Sequence, residues 1–99
     1  MSEIDPSQVR IQIDDRDQQF TVFIQGIHAG QLHYSLANSV VELQKLELTD
    51  GFDDAETRDA VIGAVMAILE REDDTMIRPC DPAVNRWVSL HPEFYDLLA

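Results

Sequence analysis

Asp53-Asp54-Ala55-Glu56-Thr57-Arg58-Asp59-Ala60-Val61-Ile62-Gly63-Ala64-Val65-Met66-Ala67-Ile68-Leu69-Glu70 is the stretch on which the fold turns. Val61, Val65 and Ile68 stand at i, i+4 and i+7 with Ala64 and Leu69 beside them, which lines one face of a helix. Asp53 followed three residues later by Glu56 fits a capping box, in which each side chain satisfies a free N–H of the first turn. The spacing predicts an amphipathic helix from about Ala55 to Glu70, broken by Glu72-Asp73-Asp74.

Upstream the period is two. Val9, Ile11 and Ile13 alternate with polar residues, then Phe20, Val22 and Ile24, then Leu32, Tyr34 and Leu36. Asp14-Asp15-Arg16-Asp17, Gly26-Ile27-His28-Ala29-Gly30 and Asn38-Ser39 read as the turns between these strands. Val41, Leu43, Leu46 and Leu48 predict a fourth strand, and the three-residue step from Leu43 to Leu46 predicts a bulge near Lys45. Residues 1–8 read as a loose leader. Downstream, Thr75-Met76-Ile77 predicts a short fifth strand. Asp81 can cap a second helix with Pro82 in its first turn, where a missing N–H costs nothing. Val84, Trp87 and Val88 give that helix an apolar side, Pro92 ends it, and Phe94, Leu97 and Leu98 form an apolar tail expected to pack down.

The order is ββββ-α-β-α. A helix between two strands makes them parallel, because the crossover returns the chain to the same end of the sheet. The expected fold is therefore α+β, one domain over residues 1–99: an antiparallel meander of four strands, a helix, a parallel fifth strand and a C-terminal helix. A 44% apolar composition supplies the core of one globular domain.

Nineteen acidic residues against seven basic ones give a net charge of -12. Nucleic acid is excluded as a partner, since phosphate binding needs clustered Lys and Arg, and anionic membranes are disfavoured on the same ground. A single cysteine cannot form an internal disulfide, and the N-terminus has neither a basic region nor an apolar segment of signal-peptide type. No apolar run reaches the ~20 residues of a membrane span. These features point to a cytoplasmic protein, with a monomer as the expected state. His28, His33, His91 and Cys80 share no metal-ligand spacing, so no metal site is expected.

Two stretches resemble a known family. Pro79 to Leu98, with Trp87 and the run His91-Pro92-Glu93-Phe94, is similar to the closing signature of very small GNAT-type N-acetyltransferases, which use acetyl-CoA. Phe20 to Leu36, with Gly26, Ala29-Gly30 and Tyr34, resembles the second and third strands of that family and the turn between them. The resemblance implies a minimal GNAT-like fold and transfer of an acetyl group from acetyl-CoA to an amine. It implies that the fourth strand bonds the pantetheine arm. It also implies that the following loop and helix N-terminus hold the pyrophosphate through backbone N–H groups around Glu56, Thr57, Arg58 and Asp59. Glu47 becomes the candidate base or orienter, Arg58 the phosphate contact and Cys80 the acyl acceptor.

The residues themselves carry a second reading. The family loop follows an Arg/Gln-x-x-Gly-x-Gly/Ala pattern, whereas the segment from Asp50 to Ala60 holds Asp53, Asp54, Glu56 and Asp59 with Arg58 as its one base, Gly51 too early and Gly63 inside the helix. Carboxylates within a Debye length of about 8 Å oppose a bound pyrophosphate. Aspartates at a helix start also take the free N–H groups for themselves. The family's cysteine position aligns with Asp81 rather than Cys80, and a free cysteine is expected to be a small buried thiol. Glu47 reads equally as a solvated strand carboxylate, Trp87 as a core anchor, His28 as an exposed turn residue and His91 as a cap of the second helix's C-terminus. The alternative function is a non-catalytic GNAT-fold relative that has lost the CoA site and binds a protein partner, a basic one by charge.

Overall fold

The computed structural model describes residues 8–72 and 75–99. Five strands form one sheet in sequence order: β1 Val9–Asp14, β2 Gln19–Ile24, β3 Ile27–Ala37, β4 Val40–Leu48 and β5 Met76–Pro79. The first four pair antiparallel, and β5 pairs parallel to β4 across helix α1, Ala55–Glu70. Helix α2, Pro82–Ser89, and a terminal 3-10 helix, Pro92–Leu97, complete the chain. The fold is α+β with a mixed sheet. The leader expected over residues 1–8, apart from Gln8, and Asp73-Asp74 of the break at Glu72-Asp73-Asp74 lie outside the described residues.

Both helices cover the same face of the sheet. Strands β2 to β5 bury alternating side chains, Phe20, Val22 and Ile24 on β2, Leu32 and Tyr34 on β3, Val41 and Leu43 on β4, Ile77 on β5, while β1 keeps Val9 and Ile11 half-buried and Ile13 exposed. Against them pack Val61, Ile62, Val65, Met66 and Leu69 of α1 and Val84, Trp87 and Val88 of α2, with Phe94, Leu97 and Leu98 of the tail partly buried at the margin. The tail also runs beside β5, where the Ala99 N–H donates to Ile77 O at 2.9 Å. The opposite face carries Gln31, His33, Ser35, Glu42 and Arg78 in side-chain hydrogen bonds, and no helix of the described residues covers it.

The expected bulge is present. Tyr34 pairs with Leu43 and His33 with Lys45, so Gln44 is the extra residue. It restores Leu46 to the face that Leu43 occupies, which a regular strand cannot do for residues three apart. Asn38-Ser39 turns the chain as expected, both residues at positive φ, in the manner of a primed two-residue hairpin loop.

Four expectations are corrected. The second turn is Gln25-Gly26 alone, and β3 starts at Ile27. Gly30 lies inside β3, where a Cβ would stand 2.1 Å from Glu47 O. That glycine serves close strand approach rather than a turn, and the register shift opposite Val22 and Phe23 falls there. The first helix is capped by Asp54, not Asp53: its carboxylate accepts from Thr57 N at 2.8 Å, while Asp53 lies 3.8 Å from the Arg58 guanidinium. The fifth strand begins at Met76, without Thr75, and extends to Pro79. Helix α2 ends at Ser89, three residues before Pro92, which opens the 3-10 helix.

Candidate functional site

β4 outlives its partner. Its pairing with β5 stops at Leu43 opposite Pro79, and the chain then turns at Asp81 into α2, while β4 runs on to Leu48. The strands part there, and a cleft of about 580 Å³ opens between the end of β4, the start of α1 and one side of α2. Leu46, Leu48 and Trp87 form apolar walls; Arg58, Asp59 and Arg86 bring charge to it.

Asp81 closes the inner end. It is only 7% exposed, and it has no cation within ion-pair distance among the described residues. Three backbone donors hold it instead. Oδ1 accepts from Ala83 N at 2.7 Å and Val84 N at 3.2 Å, capping α2, and Oδ2 accepts from Leu46 N at 2.8 Å. The last bond reaches across the parting strands and ties α2 to β4. Leu43 O accepts from both Cys80 N at 3.0 Å and Asp81 N at 2.9 Å, fixing the turn from which the carboxylate projects.

At the start of α1 the Asp54 carboxylate is held below the usual range, first by its bond from Thr57 N and then by the Thr57 hydroxyl. A charged acceptor thus occupies the positive end of the helix. Thr57 itself is buried, and Glu56 is exposed. Arg58 and Asp59 line the cleft. Gly51 has φ +91, but a Cβ built on it would meet nothing within 4 Å, so it serves a turn and no close backbone approach.

Glu47 does not belong to the cleft. Side chains alternate along a strand, so with Leu46 and Leu48 on the helix side Glu47 points to the open face. There it accepts from His33 Nε2 at 2.6 Å and Gln31 Nε2 at 3.4 Å, with Lys45 Nζ at 3.6 Å. The His33 bond comes first among the causes that lower its pKa, the opposite of what a general base near neutral pH requires. Cys80 is exposed, which corrects the expected burial, and it does not line the cleft. Neither residue of the pair named as catalytic lines the cleft.

No family model matches this sequence, and no curated protein does. Trp87 is a buried anchor, stacked on His91 with ring centroids 3.7 Å apart. His91 Nδ1 lies 2.7 Å from Trp87 O, so the imidazole serves the end of α2 as expected. His28 is exposed at the start of β3. Among the described residues no helix is long and apolar enough to cross a membrane, and no group of three His, Cys, Asp or Glu is placed to hold a metal. The residue that sequence reasoning undervalued is Asp81. Its capping role was legible in Asp81-Pro82; its bond to Leu46, 35 residues away, carried no local signal.

Proposed function

We propose that this protein is a non-catalytic relative of the small GNAT-type N-acetyltransferases, with a cofactor cleft closed by its own carboxylates and a role in binding a protein partner. The order of four antiparallel strands, a crossover helix, a parallel fifth strand and a C-terminal helix supports the relationship. So does the parting of β4 and β5 beside a cleft.

The residues present do not fit acetyl-CoA. A pantetheine arm uses free N–H and C=O groups of β4, and the first donor beyond the last pair with β5, Leu46 N–H, is committed to Asp81, which leaves Leu48 N–H as the next. A pyrophosphate needs free N–H groups at the start of α1, and Asp54 takes that of Thr57 and sets its own negative charge there. A backbone cradle needs glycines in close approach, and Gly51 makes none. Asp53, Asp54, Glu56 and Asp59 add repulsion within a screening length. The observation that carries the reading is the buried Asp81 carboxylate on Leu46 N–H. The charge of -12 supports a basic partner.

Titrating the labelled protein with acetyl-CoA at low salt, followed by amide chemical shifts, tests this. No saturable change at residues 46–60 is expected at millimolar ligand. Saturable binding there, with acetylation of an amine, would restore the enzyme reading.

A further inference from the structure

We infer that the free edge of β4 at Leu46–Leu48 accepts an extended basic segment of a partner protein as an added strand. This deepens the partner-binding reading above and rests on it.

The argument starts from strand parity. In the β3–β4 ladder Gly30 pairs with Leu48, Gln31 with Glu47 and Leu32 with Leu46. Thr49 N donates to Ala29 O at 2.8 Å, so Thr49, Glu47 and Lys45 turn their backbone groups to β3. Leu46 and Leu48 therefore turn theirs the other way, toward the cleft. The Leu46 N–H bond to Asp81 agrees with that parity. Beyond it, Leu46 C=O, Leu48 N–H and Leu48 C=O make no hydrogen bond to any described residue. They form a short open edge where β5 has turned away, which is the feature strand addition uses.

Asp81 sets the register. An antiparallel segment cannot pair opposite Leu46, because that N–H is taken, and pairs opposite Leu48 instead. A parallel segment places one residue between Leu46 C=O and Leu48 N–H. In either direction Leu48 N–H is the donor. One side of the added strand then meets Leu46, Leu48, Trp87 and Leu90, the last 67% exposed, and wants alternate apolar residues. The other side lies on the open face beside the Glu47 carboxylate, in a chain of net charge -12, and wants Lys or Arg.

The probe is the peptide acetyl-Lys-Val-Lys-Val-Lys-amide, titrated into the labelled protein at low salt. Two N-methylated forms, methylated on the valines or on the lysines, and a Glu-for-Lys analogue serve as controls. The expected result is a saturable shift of the Leu46–Leu48 amides. N-methylation of one set alone should weaken binding by about five-fold or more, since only one edge of the peptide faces β4. The acidic analogue should bind about ten-fold more weakly. Equal effects of both methylations, shifts confined to another surface, equal binding of the acidic analogue or no binding at millimolar peptide would each overturn the inference. An acetyl-CoA titration alongside separates the two readings. If peptide and acetyl-CoA both fail to bind, only strand addition falls; if acetyl-CoA binds, the closed-cleft reading falls with it.

Discussion

Replacing Asp81 by Ala removes three hydrogen bonds from one buried site. Losing an N-cap costs about 1 kcal/mol. Leaving the Leu46 N–H without a partner costs a further ~1–3 kcal/mol if water cannot reach it. The sum is about 2–4 kcal/mol, which for a domain of this size lowers the melting temperature by roughly 10–20 °C. Asp81→Asn separates the two parts. Asparagine caps helices about as well as aspartate, so its oxygen can stay on Ala83 N and Val84 N. Its amide would then face Leu46 N–H donor to donor, and only that second part is lost, about 1–3 kcal/mol. Urea unfolding of the wild type and both variants at neutral pH measures this. The expected order of stability is wild type, then Asn, then Ala. A wild-type midpoint for Asp81→Asn would refute the claim that the carboxylate ties α2 to β4. Equal losses in both variants would assign everything to the Leu46 bond and nothing to the cap.

The other two predictions concern the sheet. Gly30→Ala should destabilise by at least ~3 kcal/mol in urea unfolding, because the new Cβ would stand 2.1 Å from Glu47 O and 2.8 Å from Leu48 Cα, both backbone. Gly51→Ala, with open space but φ +91, should cost only about 1–2 kcal/mol; comparable losses would mean that contact does not decide the Gly30 cost. On the open face, the Arg78 hydrogen bond at 2.7 Å, then Ser35, holds the Glu42 carboxyl below its usual range. A depressed carboxylate stabilises the fold above its unfolded-state pKa and loses that contribution as pH falls through its folded-state pKa. Arg78→Ala should therefore raise the Glu42 titration midpoint in side-chain carboxyl NMR and flatten the acid limb of the stability curve, and an unmoved midpoint would contradict the pairing.

The strands were legible because each buries one face, so apolar residues recur at every second position from Phe20 to Leu43. The bulge was legible for the same reason, since the Leu43–Leu46 step breaks that alternation. Turn boundaries were not. Gly30 looked like turn chemistry because positive-φ freedom and close strand approach select the same residue, and only the partner strand tells them apart. The cap slipped from Asp53 to Asp54 because adjacent aspartates are locally equivalent until the helix's phase against the sheet is fixed. Cys80 was misjudged from the general burial of free thiols, whereas it follows the last paired residue of β5, where the chain leaves the sheet. Arg58 and Asp59 line the cleft because they stand in the first turns of α1, whereas Glu47 faces away from it, because a single step along a strand changes the face.

Asp81 bears on function because of what its position demands chemically. Three N–H donors converge there, and a carboxylate, acceptor-only and with two oxygens, can serve them all. A thiol is a weak acceptor and cannot. On the proposed relationship the aligned family residue is a cysteine, so a change to aspartate would do two things at once. It would remove a nucleophile, and it would add a cap and a tether worth more than a typical surface contact. Reversal would then cost stability before it restored any chemistry, because Leu46 N–H would be left waiting for a ligand. The start of α1 follows the same logic, with Asp54 doing for Thr57 N–H what a phosphate would otherwise do. A cleft in which the chain's own carboxylates take Leu46 N–H and Thr57 N–H offers an anionic cofactor two donors fewer. What it still offers is an unpaired stretch of strand at Leu48, apolar on the helix side and flanked by the Glu47 carboxylate on the open face. That combination suits a basic strand and disfavours a polyphosphate.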